Sequence, residues 1–515
     1  MPTYMTPGVY VEEVPSQSKP IEGVGTSTAA FVGLAPGGPI NQPMRISNWT
    51  QFAKIYGDPS NPDNGPFMEG AYLAHAMYGF FANGGSLCWV VRVGKETGAP
   101  RAQVALPAAA DTGVETLRAL AKSGADGDVS IEITEEPNAG EKADATYKVV
   151  VTAGGDKEEY DGLTLKKGKA NIATKINAAS KLVTIEEVGS VPDELKVPAT
   201  GKYALSVPSI PAGEIEAGDF EGDVARRQGM GSLAAIDEVT MVVMPDLMTL
   251  ANGAGSDAQI RDLQGKMIAH CENMGERMAI LDAPPNMLPQ DLLEWRMNTA
   301  GYDSKFATLY WPWIEVMDPL SNTPMMIPPS GHVAGIWART DSTRGVHKAP
   351  ANEVVLGANG LGFQLTHAEQ GALNQSGINC IRSFPGRGIR VWGARTMSSD
   401  PEWRYLNVRR LFNYLEESIL NGTQWVVFEP NDQALWARIR RTISAFLVNE
   451  WRKGALFGST PDQSYYVVCD DRTNPAEGID AGQVLCEIGV APVKPAEFVV
   501  FRLSQFSGGT SLVTE

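Results

Sequence analysis

The chain has 515 residues, 43% of them hydrophobic, and carries a net charge of −17. That length exceeds one ordinary core and points to about two to four domains, and the acidic balance excludes a general nucleic-acid binder. No apolar run of about 18 residues is present to span a bilayer, and the N-terminus MPTYMTPGVYVEEVPS lacks the basic-then-apolar order of a signal peptide.

Residues 1–20 read as an extended arm. Tyr4, Val9, Tyr10, Val11 and Val14 favour a strand, and Pro2, Pro7, Pro15 and Pro20 forbid a helix. Such a terminal strand must join a sheet, its own or a neighbour's. Residues 21–95 read as α/β. A strand over 29–34 precedes a short helix near 48–56 capped by Ser47 or Asn48. A second helix over 65–81 aligns Phe67, Ala71, Ala74, Tyr78 and Phe81, ends at Asn83-Gly84-Gly85, and leads into a buried strand over 88–93.

Residues 96–225 change character. Aromatics thin out while Gly, Lys, Glu and Asp rise, and alternation over 129–134 and 147–152 marks strands of an inserted, mostly β domain. A small helix is expected over 170–179. Residues 226–350 return to α/β, with strands over 239–244, 278–281 and 307–312 separated by helices near 257–274 and 289–298. This alternation implies a parallel sheet with right-handed crossovers, packed with residues 21–95 as one discontinuous domain.

Within residues 351–515, the stretch 377–506 is dense in Arg, Trp and Phe, the types enriched at protein interfaces. One helix begins near Pro401 or Asn407 and ends at Asn421-Gly422; its apolar face is Val408, Leu411, Phe412, Leu415 and Ile419. The next runs from Asn431 or Asp432 to about Lys453, with Leu435, Ile439, Ile443, Phe446 and Leu447 inward. Strands are expected over 425–428, 465–469, 484–490 and 498–503.

Chemistry is sparse. The histidines are His75 and His270 in helical stretches, His332 and His347 on loops, and His367. No G-x-S-x-G, C-x-x-C, H-E-x-x-H, EF-hand or P-loop spacing occurs. No catalytic residue, metal or cofactor is therefore assigned. A serine hydrolase on the α/β core is the alternative reading, with His332 and His347 as its candidate bases. Cys88, Cys271, Cys380, Cys469 and Cys486 are few, odd in number and far apart, as free buried thiols of a reducing cytosol would be. Arg387 in the glycine turn FPGRGIRVWG could bind an anion, or could stand with Arg390 against acidic partners.

The segments FFANGGSLCWVVRV, SGHVAGIWARTDSTRGVHKAPAN, FPGRGIRVWGART, WRYLNVRRLFNYLEESI and APVKPAEF resemble the contractile tail sheath proteins of phage tails, R-type bacteriocins and related injection particles. The resemblance covers residues 1–95 and 226–506. It implies an α/β multidomain chain: an arm over 1–20, an α/β middle domain over 21–95 plus 226–350, an outer insertion over 96–225, and an α+β C-terminal assembly domain over 351–515 with a second arm from about 492. It implies subunits stacked as hexameric rings in a metastable helical sleeve around an inner tube, with baseplate and terminator proteins as further partners. It implies assembly in the cytoplasm of the producing cell, no nucleic acid and no direct membrane insertion. A baseplate or terminator ring subunit of the same machine is the nearest alternative.

Within that family the arms add strands to neighbouring subunits, which implies inter-subunit roles for Val9, Tyr10, Val11, Val14, Phe498, Val499, Val500, Phe501 and Leu503. The alternative reading of 498–503 is a last strand in its own domain. The family's tube-lining C-terminal domain implies that Arg438, Arg441, Arg452 and Lys453 face the tube; a plain charged surface is the other reading. Arg387, Arg390, Trp392, Arg395, Trp403, Arg409 and Arg410 are the expected assembly signature.

Overall fold

The computed structural model describes residues 20–58, 62–94, 102–110, 114–122, 129–136, 145–188, 196–205, 215–251 and 256–502. The chain divides into two compact units, one comprising Ser27–Arg339 and Ala351–Ser398, the other the described parts of Met1–Thr26, Thr340–Pro350 and Ser399–Glu515.

The larger unit is built on a nine-stranded sheet. Its order is Glu353–Val354, Gly388–Val391, Ile378–Phe384, Ala307–Trp311, Met278–Asp282, Met241–Val243, Ala29–Gly33, Cys88–Arg92 and Met44–Ile46. The six strands from Ile378–Phe384 to Cys88–Arg92 are parallel, and the two edges are finished by antiparallel pairings. Ala29–Gly33, Met278–Asp282 and Ala307–Trp311 are buried at every position, which is why they read as unbroken apolar runs rather than alternations. The helix Ser256–Met274 supplies one crossover. The helix Pro289–Glu294 continues into a π-helical turn over Trp295–Ala300 and supplies the next.

The second helix begins at Leu73, not at residue 65 as the apolar stripe implied. Gly65 and Gly70 take φ values of 57° and 73°, which a right-handed helix cannot accommodate. Its first turn is instead closed from elsewhere. The carboxylate of Asp246 is fully buried and accepts the N–H groups of Leu34, Tyr72 and Leu73. A negative group at a helix N-terminus satisfies orphan donors and complements the helix dipole. Burial raises this carboxyl to about 7 against those three bonds.

His332 is also placed differently from expectation. It lies in the helix Ser330–Arg344, 2% exposed, rather than on a loop. Its ring rests on Gly79, where a Cβ would stand 2.2 Å away. Its pKa is lowered by burial to about 4.

Residues 102–205 form their own hydrophobic core inside the larger unit. A four-stranded sheet ordered Gly201–Ala204, Val129–Glu136, Thr146–Ala153, Asp156–Leu163 packs with a three-stranded sheet, Gln103–Pro107, Glu115–Ala121, Val183–Glu187, and with the helix Ile172–Ala179. Alternation along Thr146–Ala153 puts Tyr147, Val149, Val151 and Ala153 inside. Ile215 and Phe220, just beyond, join the core of the nine-stranded sheet instead.

In the smaller unit the helices Leu406–Gly422 and Gln433–Arg452 pack around Leu411, Leu415, Leu435, Trp436, Ile439, Ile443, Phe446 and Leu447, joined by Ile21 and Val346. The Asp432 side chain caps the second helix by accepting the Leu435 N–H at 2.7 Å. Two expected strands are absent here. Residues 424–426 form a 3-10 turn, tied to the preceding helix by the Thr423 hydroxyl donating to the Ile419 carbonyl at 2.7 Å. Phe428 then takes a φ of 66°, outside the strand region. Residues 498–502 pair with no strand among the described residues.

Candidate assembly surface

Among its described residues the smaller unit carries a sheet of two strands. Tyr465–Val468 pairs antiparallel with Glu487–Val490, from Tyr465 opposite Val490 to Val468 opposite Glu487. Two strands alone are marginal in water and leave two rows of unpaired main-chain groups. The half-exposed register of both strands fits a surface that is unfinished rather than solvated by design.

The chain leaving that sheet is held for a short distance only. Leu456 bridges Pro492, the Asn407 side chain donates to the Val493 carbonyl at 3.1 Å, and the Tyr405 hydroxyl bonds Glu497 at 3.1 Å. Beyond Glu497 the burial stops. Phe498, Val499, Val500 and Phe501 are between 67% and 85% exposed. Four consecutive large apolar groups in water are a liability unless another surface covers them. Leu503 and the N-terminal residues Val9, Tyr10, Val11 and Val14 lie outside the described residues.

The same unit exposes further apolar groups that the sequence did not single out: Val427, Phe428, Phe457, Tyr466 and Leu485. Tyr466 lies on one strand of the small sheet and Leu485 just before the other. No periodicity marks them, because exposure of an apolar group is a property of its surroundings.

The arginines divide sharply. Arg410 forms a two-pronged bond with Asp341, at 2.9 and 2.5 Å, and a third bond to the Thr26 carbonyl, with both charged groups almost fully buried. Arg409 lies 4.4 Å over the Trp403 ring and donates to Asn413 at 2.6 Å and Glu416 at 3.0 Å. Arg395 donates to the Asn374 carbonyl at 3.0 Å and is 8% exposed. These three spend their donors inside the chain. Arg387 and Arg390 differ. Arg387 stands on the exposed turn between Ile378–Phe384 and Gly388–Val391, where Gly386 and Gly388 have φ of 70° and 75°, and Arg390 lies half-buried in the strand that follows. Arg387 lies 5.1 and 5.7 Å from the rings of Phe384 and Trp392, and both arginines reach Asn352.

On the helix Gln433–Arg452, Arg438 lies 4.0 Å from the Trp425 ring and bridges Glu429 at 3.0 Å. Lys453 pairs with Glu450 at 2.7 Å. Arg441 and Arg452 are exposed and, being three turns apart, share one face. Among the described residues no group of three His, Cys, Asp or Glu side chains could hold a metal, and no helix is long and apolar enough to cross a membrane.

Two family profiles cover most of the chain. The phage tail sheath protein central domain matches residues 225–397, and the phage tail sheath C-terminal domain matches residues 398–506. The tail sheath protein of Vibrio phage KVP40 is 31% identical over 180 residues, 34% of this chain and 26% of that one. A putative prophage major tail sheath protein of Pseudomonas aeruginosa is 27% identical over 44% of this chain and 57% of its own length. The chain thus spans well under two thirds of these two relatives. The tail sheath protein of Burkholderia phage BcepMu aligns over 96% of this chain and 95% of its own, at 23% identity. Among solved structures, the sheath complex of the extracellular contractile injection system PVC in its contracted state covers 98% of this chain and 99% of its own, with a TM-score of 0.57 and 23% identity. The anti-feeding prophage baseplate structure contains a chain with a TM-score of 0.58 at 22% identity. At these identities the structural matches speak for the fold.

Proposed function

The chain belongs to the contractile tail sheath family, and on that basis we propose that it is the sheath subunit of a phage-tail-like contractile injection machine. In this reading subunits stack as hexameric rings in a helical sleeve around an inner tube. Their concerted repacking drives the tube through a target envelope, between a baseplate at one end and a terminator at the other. Heterologous contacts that do not close on themselves generate such filaments. The role is mechanical rather than catalytic.

The observation that carries the proposal is the two-stranded sheet beside an exposed apolar tail that pairs with no strand among the described residues. The tail from Phe498 onward and the arm over 1–20 supply strands, and Tyr465–Val468 with Glu487–Val490 supplies the edges that a neighbour's strands complete. Main-chain bonds give such a joint strength, and alternate side chains give it register. The exposed Arg441–Arg452 face is assigned to the tube, and Arg387 with Arg390 to contacts between subunits.

The test is truncation. Removing everything after Glu497, or residues 1–20, should leave a folded chain that no longer forms tubes by negative-stain imaging and sedimentation. Long ordered tubes from either truncation would overturn the strand-exchange reading.

A further inference from the structure

Two of the five cysteines, well separated in sequence, are brought together by the fold. Cys469 directly follows the strand Tyr465–Val468, and Cys486 directly precedes Glu487–Val490. The ladder ends with Val468 opposite Glu487, so its continuation sets Cys469 opposite Cys486. The kind of row can be read from the other end. The Ala491 N–H donates to the Ser464 carbonyl at 2.8 Å, which makes that row a hydrogen-bonded one. Rows alternate, so the cysteine row, five further on, is of the non-hydrogen-bonded kind, where side chains are closest. Its usual Cα separation of about 4.5 Å lies within the roughly 4.4–6.8 Å that a disulfide accepts.

The side chains agree with the backbone. Each thiol lies close enough to shift the ionisation of the other. Asn474 fixes both ends of the intervening loop: its Nδ2 lies 3.8 Å from Cys469 Sγ and donates to the Leu485 carbonyl at 3.0 Å, while its Oδ1 accepts the Leu485 N–H at 2.7 Å. The Arg440 guanidinium donates to the Cys469 carbonyl and favours the thiolate of either sulfur. Cys88, Cys271 and Cys380 belong to the other unit and are buried there.

We propose that Cys469 and Cys486 are a redox couple that closes into a cross-strand disulfide by exchange with a small-molecule disulfide. Cys486, the less buried of the two, attacks one sulfur of the oxidant as its thiolate and releases the first small thiol. Cys469 then attacks the Cys486 sulfur of the mixed disulfide and expels the second. Two protein thiols are oxidised, two small thiols are produced, and the protons pass to them through solvent. Burial holds the Cys486 thiol up to about 12, so the exchange is slow in a reducing cell and completes on prolonged exposure to an oxidising medium. The product staples residues 470–485 into a closed loop and locks together the two strands of the small sheet.

The test uses the full chain and oxidised glutathione at about pH 8.5, where thiolate attack is faster. Thiols titrated after denaturation should fall from five to three, with one tryptic crosslink joining Cys469 to Cys486 and a melting midpoint higher by several degrees than in dithiothreitol. Cys486→Ser should keep its remaining four thiols and show no such shift. Retention of all five thiols, a product carrying only glutathione adducts, or crosslinks between chains would each overturn the proposal. The thiol count is independent of assembly. The further expectation, that oxidised tubes resist disassembly better than reduced ones, rests on the strand-exchange reading and can fail without it.

Discussion

Arg410 and Asp341 form a buried ion pair that joins three separate stretches of the chain. Both prongs of the guanidinium fork meet the carboxylate, a third bond reaches the Thr26 carbonyl, and the Thr26 hydroxyl donates to the same carboxylate at 2.6 Å. Residues 26, 341 and 410 all belong to the smaller unit, so this pair is where that discontinuous unit is tied together.

Breaking the pair should therefore cost far more than losing a surface contact. Arg410→Ala leaves an unpaired buried carboxylate, and the expected loss is about 3–5 kcal/mol. The double variant Arg410→Met/Asp341→Leu leaves no stranded charge and should lose clearly less. Urea denaturation followed by tryptophan fluorescence measures both; equal losses would assign the effect to packing rather than charge.

Asp282 gives a pH prediction with a defined sign. It accepts the Ser330 N–H at 2.9 Å and the Ser330 hydroxyl, and burial raises it to about 7. A carboxyl whose folded pKa exceeds its unfolded value near 4 stabilises fully below pH 4, and that contribution is lost as pH rises to 7. Asp246 acts in the same direction. His270 and His332, both held near 4, act in the opposite one, losing stability as pH falls from 6.5 to 4. Asp282→Asn keeps an acceptor and removes the ionisation. Its stability relative to the parent should rise between pH 4 and 7, by on the order of 4 kcal/mol, then level off. A difference that does not change with pH would show that Asp282 ionises freely in the folded chain.

The insertion should be dispensable for the rest of the chain. Among the described residues the core of 102–205 shares no side chain with that of the nine-stranded sheet, whereas Ile215 and Phe220 do belong to the latter. Replacing 102–205 by a short glycine-serine linker should preserve the melting transition of the remainder and the ability to form tubes. A deletion extended through Phe220 should be insoluble, because it opens the main core.

Charge reversal separates the two arginine classes. Arg441→Glu/Arg452→Glu should reduce co-sedimentation with the inner tube at least tenfold, about 1.4 kcal/mol, and leave self-association unchanged. Arg438→Glu should also loosen the unit itself, since it removes the stack on Trp425 and the bridge to Glu429. Equal loss of tube binding and self-association in the Arg441/Arg452 variant would place that face between subunits instead.

Much of the architecture was legible in the residues. The buried parallel strands were legible as apolar runs, the helix Trp49–Tyr56 by its Asn48 cap and Gln433–Arg452 by its apolar stripe, while Ile172–Ala179 and Ser256–Met274 fell where helices were expected. The misreadings came where a local pattern met a backbone it could not see. The stripe over 65–81 ignored two glycines with positive φ, and the β-favouring Trp425-Val426-Val427-Phe428 was captured by the end of the preceding helix. The arginine-rich signature was legible as composition but not as roles. Arg395, Arg409 and Arg410 look like Arg387 and Arg390 in sequence, and only their neighbours distinguish an internal tie from an exposed group.

By itself the sequence determined the fold class, the membership of a family and the apolar character of the tail beyond Glu497, because periodicity, motif and composition are properties of residues taken in order. Only the tertiary structure decided that Asp341 waits for Arg410, that Asp246 caps a helix far from it in the chain, and that Cys469 faces Cys486. Those relations join positions between 17 and 173 residues apart, and no local pattern encodes a partner that the chain meets only after it has closed on itself.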